Sequence, residues 1–271
     1  MNFAEYYAQR AAQKFPTSDN PENDGVVRHA LAALQLQPGD RLLDFGCADG
    51  YFLRRMKSQV PGIDACGFDI VYHRCWSDLS HVARFDYGPL PLPYPPSSFD
   101  AIFCNQVLEH VPDPAAVAHE FARVLRPGGK LWLATPNGYD CTWKPFHGLQ
   151  RQIDALEGHL RHFSHADLVQ LFSPCGLQIL KVNYDLFVGA YVYYRWVAFN
   201  PRVKTRLLQQ VAPELLRATC GGGFARDVPP ARPRVLRRLA FAAMHALRAF
   251  DELFHRSTKG QVIEVTAERR A

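Results

Sequence analysis

The alternation of short apolar segments with amphipathic helical segments is the feature that most constrains the fold of this chain. Apolar runs suited to strands occur at residues 41–46, 65–70, 82–86, 99–105, 130–134, 177–183 and 261–267. Apolar residues at helical spacing occur between them, at residues 26–36, 50–58, 114–124 and 166–172. Strands that alternate with helices form a parallel sheet covered on both faces, so we expect an α/β, doubly wound, mostly parallel fold.

The alternation stops near residue 185. Residues 186–259 contain an aromatic stretch at 189–199 and two predicted helices, near 204–218 and 234–256. The strand pattern returns only at 261–267. We therefore expect one domain made of residues 1–185 and 260–271, with residues 186–259 as a helical insertion before the last strand.

Charge divides at the same place. Residues 1–185 hold 16 basic and 20 acidic side chains, whereas residues 186–271 hold 15 basic and 6 acidic ones. A basic, aromatic insertion can act as a lid over a substrate pocket, rest on an anionic membrane surface or contact nucleic acid. No RNA-binding module is visible, which disfavours nucleic acid as a partner and leaves the lid and the membrane contact open.

Cellular location is predicted from two negative features of the sequence. The first residues lack the apolar core of a signal peptide, and no apolar run reaches the roughly 18 residues of a spanning helix. The seven cysteines form no C-x-x-C pair, which is typical of reduced thiols. We expect a cytoplasmic protein, with peripheral contact at the inner membrane face left open.

The turn after the first strand, Asp44-Phe45-Gly46-Cys47-Ala48-Asp49-Gly50, is the strongest candidate for a ligand site. Ligands of open α/β sheets bind at the carboxyl ends of the strands, and glycines let the backbone approach them closely. The spacing is G-x-A-x-G, and Tyr51 stands where a dinucleotide site would have its third glycine. This disfavours a nicotinamide oxidoreductase, while the acid Asp44 suits a ligand that carries a cationic amine.

Several motifs in register make residues 26–185 resemble the class I S-adenosylmethionine-dependent methyltransferases. Residues 43–50 look like the family's first motif, with Ala48 in place of its middle glycine. Residues 98–111 resemble the fourth strand and its turn, and residues 123–130 match the R-V-L-x-P-G-G turn before the fifth strand. Residues 159–164 resemble a loop of the small-molecule and lipid branch, which includes the ubiquinone-biosynthesis methyltransferases.

The resemblance implies a Rossmann-like sheet of seven strands and S-adenosyl-L-methionine as the cofactor. It assigns Asp69 to the two ribose hydroxyls and Asp86 to the adenine amino group. The predicted cofactor-binding residues are Asp44, Gly46, Cys47, Ala48, Gly50, Asp69, Ile70, Asp86 and Asn105.

The predicted reaction is an in-line methyl transfer, for which an alcohol acceptor needs a general base. Histidine titrates near neutrality, so the candidates are His159, His110 and His162, downstream of the fourth and fifth strands. The repeat His159-x-x-His162-x-x-His165 contains no carboxylate or cysteine to complete a ligand set, so no metal is predicted.

The sequence therefore predicts a methyltransferase acting on a small-molecule, lipid-linked or glycan acceptor, with oxygen as the expected methylated atom. Residue 105 is followed by Gln106-Val107 rather than Pro-Pro-Tyr, which disfavours methylation of nucleobase amino groups. The alternatives left open are an RNA methyltransferase, recruited by the basic C-terminal part, and a non-catalytic cofactor-binding scaffold.

Overall fold

The computed structural model describes residues 21–138, 154, 158–185 and 260–270. The helices are α1 (Pro21–Leu34), α2 (Tyr51–Gln59), α3 (Pro114–Val124) and α4 (His165–Phe172). The strands are β1 (Arg41–Phe45), β2 (Asp64–Asp69), β3 (Arg84–Tyr87), β4 (Phe99–Asn105), β5 (Leu125–Pro136), β6 (Leu177–Asp185) and β7 (Val262–Arg269). Short 3₁₀ helices lie at Arg74–Leu79, Leu108–His110 and Ser173–Cys175.

The strands form one sheet in the order β3-β2-β1-β4-β5-β7-β6. Strands β1 to β5 are parallel, and β7 runs antiparallel to both of its neighbours. The predicted α/β, doubly wound, mostly parallel sheet of seven strands is confirmed. The strand order reverses between β1 and β4, so the crevice at their carboxyl ends is the place where this architecture binds ligands.

Each face of the sheet has its own apolar core. Side chains of α3 and α4, such as Phe121 and Phe172, pack on one face together with Leu43 and Phe68. Side chains of α1 and α2, such as Met56, pack on the other face. Because side chains alternate along a strand, Asp44 and Asp69 face the same side as α1 and α2.

The helix starts follow from local capping. Asp113 accepts the backbone N–H of Ala116 ahead of α3, and Pro114 occupies the first helical position, where its missing N–H costs nothing. Ser164 and Asp167 form a reciprocal capping box at the start of α4. Helix α2 instead begins after Gly50 without a side-chain bond from that residue, and the backbone N–H of Tyr51 donates to Oδ1 of Asp49 at 3.1 Å.

The structure corrects several predicted bounds. Strand β5 begins at Leu125 rather than at residue 130, because Leu125 already pairs with Phe99 before the chain bulges through residues 126–129. Strand β3 spans Arg84–Tyr87 instead of 82–86, and α1 begins at Pro21. Such ends are set by pairing partners elsewhere in the chain, which local periodicity does not contain.

The last two strands frame the predicted insertion. The final residue of β6, Asp185, pairs with the first residue of β7, Val262. The helical insertion predicted at residues 186–259 lies outside the described residues, as do residues 1–20. None of the helices in the described part of the chain has the length and apolar character needed to cross a bilayer.

Candidate functional site

The first part of the site is the turn that follows β1. The Asp44 side chain is 2% exposed, and its Oδ2 has no hydrogen-bond partner among the described residues. Burial, and then the neighbouring carboxylate of Asp69, raise the pKa of Asp44 well above its ordinary range. A buried acceptor without a partner is costly, so this oxygen is suited to receive a donor, above all a cationic one.

Gly46 allows the turn to pass beside β4. Its φ is +81°, and a Cβ atom added there would lie 2.3 Å from Cγ2 of Val107. Only glycine meets both conditions without strain, since L-residues avoid this torsion and the space is already filled. The turn therefore brings its backbone against the segment that follows β4.

The carboxylate of Asp69, at the end of β2, holds the turn from the other side. Its Oδ2 accepts the backbone N–H of Ala48 at 3.0 Å, and its Oδ1 accepts that of Val71 at 3.3 Å. Ala48 has a left-handed φ of 44° and is exposed. The residue that replaces the family's middle glycine thus adopts the conformation that glycine adopts readily.

Aromatic side chains beside Asp69 complete this region. The indole N–H of Trp76 donates to the Ala48 carbonyl at 2.7 Å, and the indole stacks on Phe85 with ring centroids 5.0 Å apart. Tyr72 and Tyr87, which are 49% and 60% exposed, lie 5.6 Å apart by centroid. Sequence reasoning missed these rings, although a cluster of aromatics around a strand-end acid was a signal that could have found them.

The remaining predicted cofactor-binding residues differ in their positions. Cys47 and Gly50 lie buried in the same turn, and Ile70 follows Asp69 half-buried. Asn105 ends β4, the neighbour of β1 in the sheet. They all belong to the carboxyl ends of β1, β2 and β4.

Asp86 is not brought to this group. It pairs in register with Phe68 and therefore faces the α3 and α4 side of the sheet, where its carboxylate bonds to Arg84 at 2.9 Å. Tyr87, not Asp86, is in register with Asp69. The prediction that Asp86 contacts adenine stays a prediction, and its carboxylate already has a cationic partner.

The second part of the site is a cluster of polar side chains after β4 and β5. Glu109 is fully buried; its Oε2 accepts the Thr135 hydroxyl at 2.9 Å, and its Oε1 has no hydrogen-bond partner in the described part of the chain. Burial raises the pKa of Glu109 to about 7. Ligating atoms of Glu109, His110 and His159 lie within 4.8 Å of one another.

Two of the predicted histidines meet here. The ring centroids of His110 and His159 are 4.9 Å apart, and Nδ1 of His110 lies 3.1 Å from the carbonyl of Gly158. The backbone N–H of Leu160 donates to the carbonyl of Glu109, which fastens the 158–160 segment onto the turn after β4. The structure therefore unites residues that are about fifty positions apart in the sequence.

Asp154 joins His159 to the third predicted histidine. One oxygen, Oδ1 of Asp154, lies 3.1 Å from Nδ1 of His159 and 2.9 Å from Nε2 of His162. All three side chains are almost completely buried. Sequence reasoning did not find Asp154, because no pattern around it distinguishes it from a surface acid.

These acids also change the reasoning about metals. The repeat of three histidines offered no carboxylate, but the fold supplies Glu109 and Asp154 beside His159, while His165 is exposed. The lack of a carboxylate within the repeat itself therefore does not decide whether a metal binds. The expectation of no metal itself stays a prediction.

Comparisons with known proteins identify relatives of this chain. A family model described as a methyltransferase domain matches residues 15–182. The ubiquinone biosynthesis O-methyltransferase of Idiomarina loihiensis is 28% identical over 180 residues, which cover 62% of this chain and 72% of that protein. The protein of the same name from Xanthomonas campestris is 38% identical over 114 residues, 40% of this chain, and the match spans about half of that relative, 47%.

Solved structures share the fold at low sequence identity. Geranyl diphosphate methyltransferase in complex with GPP and sinefungin has a TM-score of 0.58 and 18% identity, covering 91% of this chain and 77% of that one. The [4+2]-cyclase SpnF has a TM-score of 0.56 and 20% identity, covering 95% and 85%. Because the two are named for different reactions, this likeness establishes the fold alone.

Proposed function

Because the chain belongs to the class I S-adenosylmethionine-dependent methyltransferases, we propose that it transfers the methyl group to a hydroxyl oxygen of a small, lipid-type acceptor. S-adenosyl-L-methionine is its cofactor, and the chain is an enzyme of this class. The relatives named ubiquinone biosynthesis O-methyltransferase support both the oxygen and the lipid character of the acceptor. The matches cover 62% and 40% of this chain, so the acceptor's identity is part of the proposal.

The turn after β1 fits the cofactor. When bound, S-adenosylmethionine supplies an electrophilic methyl group on a sulfonium. The unpartnered Oδ2 of Asp44 would accept the cationic amine, and the exposed backbone of Ala48 with Gly46, Cys47 and Gly50 would line its path. A ligand charge of +1 beside Asp44 and Asp69 would also relieve the repulsion between these two carboxylates.

The end of β2 fits the nucleoside part. Asp69 would accept the ribose hydroxyls with its carboxylate, and Ile70 would pack beside it. The exposed rings of Tyr72 and Tyr87 offer flat surfaces to a planar base. Asn105, at the end of β4, would face the reacting end of the cofactor.

The histidine cluster carries the proposal of an oxygen acceptor. His159 lies at the carboxyl ends of β4 and β5, with its Nδ1 on Asp154. Its Nε2 would take the proton of the acceptor hydroxyl while the oxygen forms a bond to the methyl carbon and the carbon–sulfur bond breaks. The bound cofactor would supply the methyl group and keep the electron pair of the broken bond on its sulfur, so the charges would balance. His110 and His162 would support His159 rather than accept the proton themselves.

Labelled methyl transfer tests this proposal directly. The full chain is incubated with S-adenosylmethionine labelled in the methyl group and with separate lipid, phenol, glycan, RNA and protein fractions. We expect label in a hydroxyl-bearing lipid or phenol fraction, with mass spectrometry locating the methyl on oxygen. His159→Ala should lower turnover roughly 100-fold or more while cofactor affinity is retained, because a general base contributes at least this factor.

The other outcomes decide between the alternatives. Label only in RNA would identify an RNA methyltransferase. Cofactor binding without transfer to any of these fractions would contradict the proposed class of acceptor. Equal turnover by His159→Ala would remove this residue from the reaction.

The basic segment 186–259 supports a second part of the proposal, peripheral contact with an anionic membrane. This rests on its charge and aromatic content alone. Sedimentation with vesicles of phosphatidylglycerol and phosphatidylcholine tests it, and the protein should pellet at low salt. Failure to pellet with anionic vesicles would leave the acceptor lid as the role of this segment.

A further inference from the structure

We propose that Asp154 and His162 fix His159 in the tautomer that carries its proton on Nδ1 and leaves Nε2 bare. This makes Asp154 a positioning residue for the proton acceptor. The inference rests on the proposed function, since a bare Nε2 matters only if His159 takes a proton from the acceptor. It is carried by hydrogen-bond geometry rather than by resemblance.

Two hydrogen bonds join Asp154 to His159. Its Oδ1 lies 3.1 Å from Nδ1 of the ring, and its backbone carbonyl accepts the backbone N–H of His159 at 2.8 Å. The main-chain bond fixes the position of the residue, and the side-chain bond fixes the rotation of the ring. A group held this way needs no reorganisation when the reaction occurs.

His162 has an oxygen at each ring nitrogen. Nδ1 lies 2.8 Å from the carbonyl oxygen of Asn137, and Nε2 lies 2.9 Å from Oδ1 of Asp154. A backbone carbonyl can only accept, so Nδ1 of His162 carries a proton. A second proton must lie between Nε2 and Asp154, because two lone pairs would otherwise face each other.

Counting protons then determines the state of His159. Whether Asp154 is ionised or shares a proton with Nε2 of His162, its Oδ1 keeps a lone pair that can accept from a second donor. Nδ1 of His159 lies 3.1 Å from this oxygen and therefore carries the single proton of the neutral ring, which leaves none on Nε2.

The same contacts stabilise the charge that develops during the reaction. When Nε2 of His159 receives the hydroxyl proton, the ring becomes a cation whose Nδ1–H points at the Asp154 carboxylate. Other titratable groups that face His159 are His110, with ring centroids 4.9 Å apart, and the buried Glu109. Neither of them bonds to Nδ1 in the described structure, so the tautomer is set by Asp154.

Asn137 connects this cluster to the sheet. It follows β5, its side-chain amide donates to the carbonyl of Gly260 at 2.8 Å, and its backbone N–H donates to Gln261. The carbonyl that orients His162 is therefore held by the start of the last strand. The position of His159 depends in this way on the frame of the sheet rather than on a loop alone.

Nitrogen NMR of the full chain labelled with ¹⁵N-histidine tests the inference without using activity. Two-bond proton–nitrogen correlations separate a bare ring nitrogen from a protonated one, and the His159 signals are assigned by their loss in His159→Ala. In the wild type we expect a protonated Nδ1 and a bare Nε2. A wild-type His159 with its proton on Nε2 would overturn the inference, whether or not any variant folds.

Asp154→Asn tests the cause of the tautomer. Its amide can donate as well as accept, so the His159 nitrogen signals should move toward a mixture of tautomers. Asp167→Asn is the matched control, because it disturbs the capping box of α4 close to His162 without contacting His159. Unchanged His159 signals in Asp154→Asn would show that Asp154 does not position the ring.

Kinetics separates positioning from a merely structural role. Asp154→Asn should lower kcat roughly 100-fold or more, as loss of the correct tautomer does in other histidine bases, with little change in cofactor affinity. Asp167→Asn should lower thermal stability but leave kcat of the folded fraction unchanged. If the spectra behave as expected but no hydroxyl is methylated, the proposed function fails while the tautomer assignment stands.

Discussion

The hydroxyl of Thr135 donates a hydrogen bond of 2.9 Å to Oε2 of Glu109, and the opposite carboxyl oxygen lies 3.8 Å from Nε2 of His110. Thr135 belongs to β5 and Glu109 to the turn after β4, so this bond crosses between neighbouring strands at their carboxyl ends. The Thr135 hydroxyl, the backbone of Glu109 and the nearby histidines compensate only in part for the burial of this carboxylate. The protonated form of Glu109 is therefore favoured in the folded chain.

Glu109→Gln should change how stability depends on pH. Burial raises the pKa of Glu109 from 4.5 to about 7. Below pH 4.5 the group is protonated in both states and costs nothing. As pH rises to 7, Glu109 ionises in the unfolded chain before it ionises in the folded chain. The free energy of unfolding of the wild type therefore falls by about 3 kcal/mol, whereas that of Glu109→Gln does not.

Urea unfolding of both chains at pH 5 and pH 8 measures this difference. The free energy of unfolding of the variant, relative to that of the wild type, should be higher at pH 8 than at pH 5. A stability difference that is independent of pH would contradict an elevated pKa at Glu109. Thr135→Val should enlarge the pH effect, because it removes the described donor to the carboxylate.

Asp44→Asn should weaken cofactor binding by roughly 10- to 100-fold, the worth of a charge-assisted hydrogen bond. The unliganded variant should be no less stable than the wild type, because it removes a buried carboxylate whose Oδ2 has no described partner. Titration calorimetry with S-adenosylmethionine measures the affinity. Asp64→Asn is the control, since Asp64 lies exposed at the opposite end of β2.

Gly46→Ala should destabilise the folded chain by roughly 2–3 kcal/mol, from the left-handed torsion and the overlap with Val107. Val107→Ala removes both methyl groups that the new Cβ would meet. The double variant should therefore lose less stability than the two single variants lose together, by more than about 0.5 kcal/mol. Strict additivity in chemical denaturation would mean that the torsion alone accounts for the loss.

Trp76→Phe should lower cofactor affinity by roughly 2- to 10-fold, because it removes the N–H that holds the Ala48 carbonyl but retains a ring to stack on Phe85. Trp132→Phe is the contrasting change, since Trp132 stacks on Phe103 inside the core. That variant should lose stability and keep its affinity. Equal cofactor affinities of Trp76→Phe and Trp132→Phe would mean that the turn after β1 does not need the Trp76 indole.

The sequence predicted the parts of the molecule that depend on local pattern. The strand at Phe99–Asn105 and the helix at Pro114–Val124 were predicted at their observed bounds, because each has its own periodicity and, for the helix, its own cap. The turn from Asp44 to Gly50 was likewise predicted from residues next to each other. Asp69 was predicted from the resemblance to the methyltransferase family, which places an acid at the end of the second strand.

Strand register and long-range contacts could not be predicted from local sequence pattern. Asp86 ends the third strand that the sequence predicts, but its register with Phe68 turns it to the opposite face from Asp69. Asp154 has no neighbouring motif and becomes notable only because the fold brings His159 and His162 to one of its oxygens. A one-residue difference in register and a long-range contact are three-dimensional facts that spacing along the chain does not contain.

The pairing of Asp185 with Val262 has a consequence for how acceptor choice can vary. Because β6 and β7 stay paired up to their adjoining ends, the chain leaves and re-enters the sheet at almost the same point. A short hairpin turn could join these ends, so the 186–259 segment is exchangeable in principle without rebuilding the sheet. A change of acceptor made through this segment would leave the hydrogen bond between Asn137 and Gly260 in place, and with it the frame beside the histidine cluster.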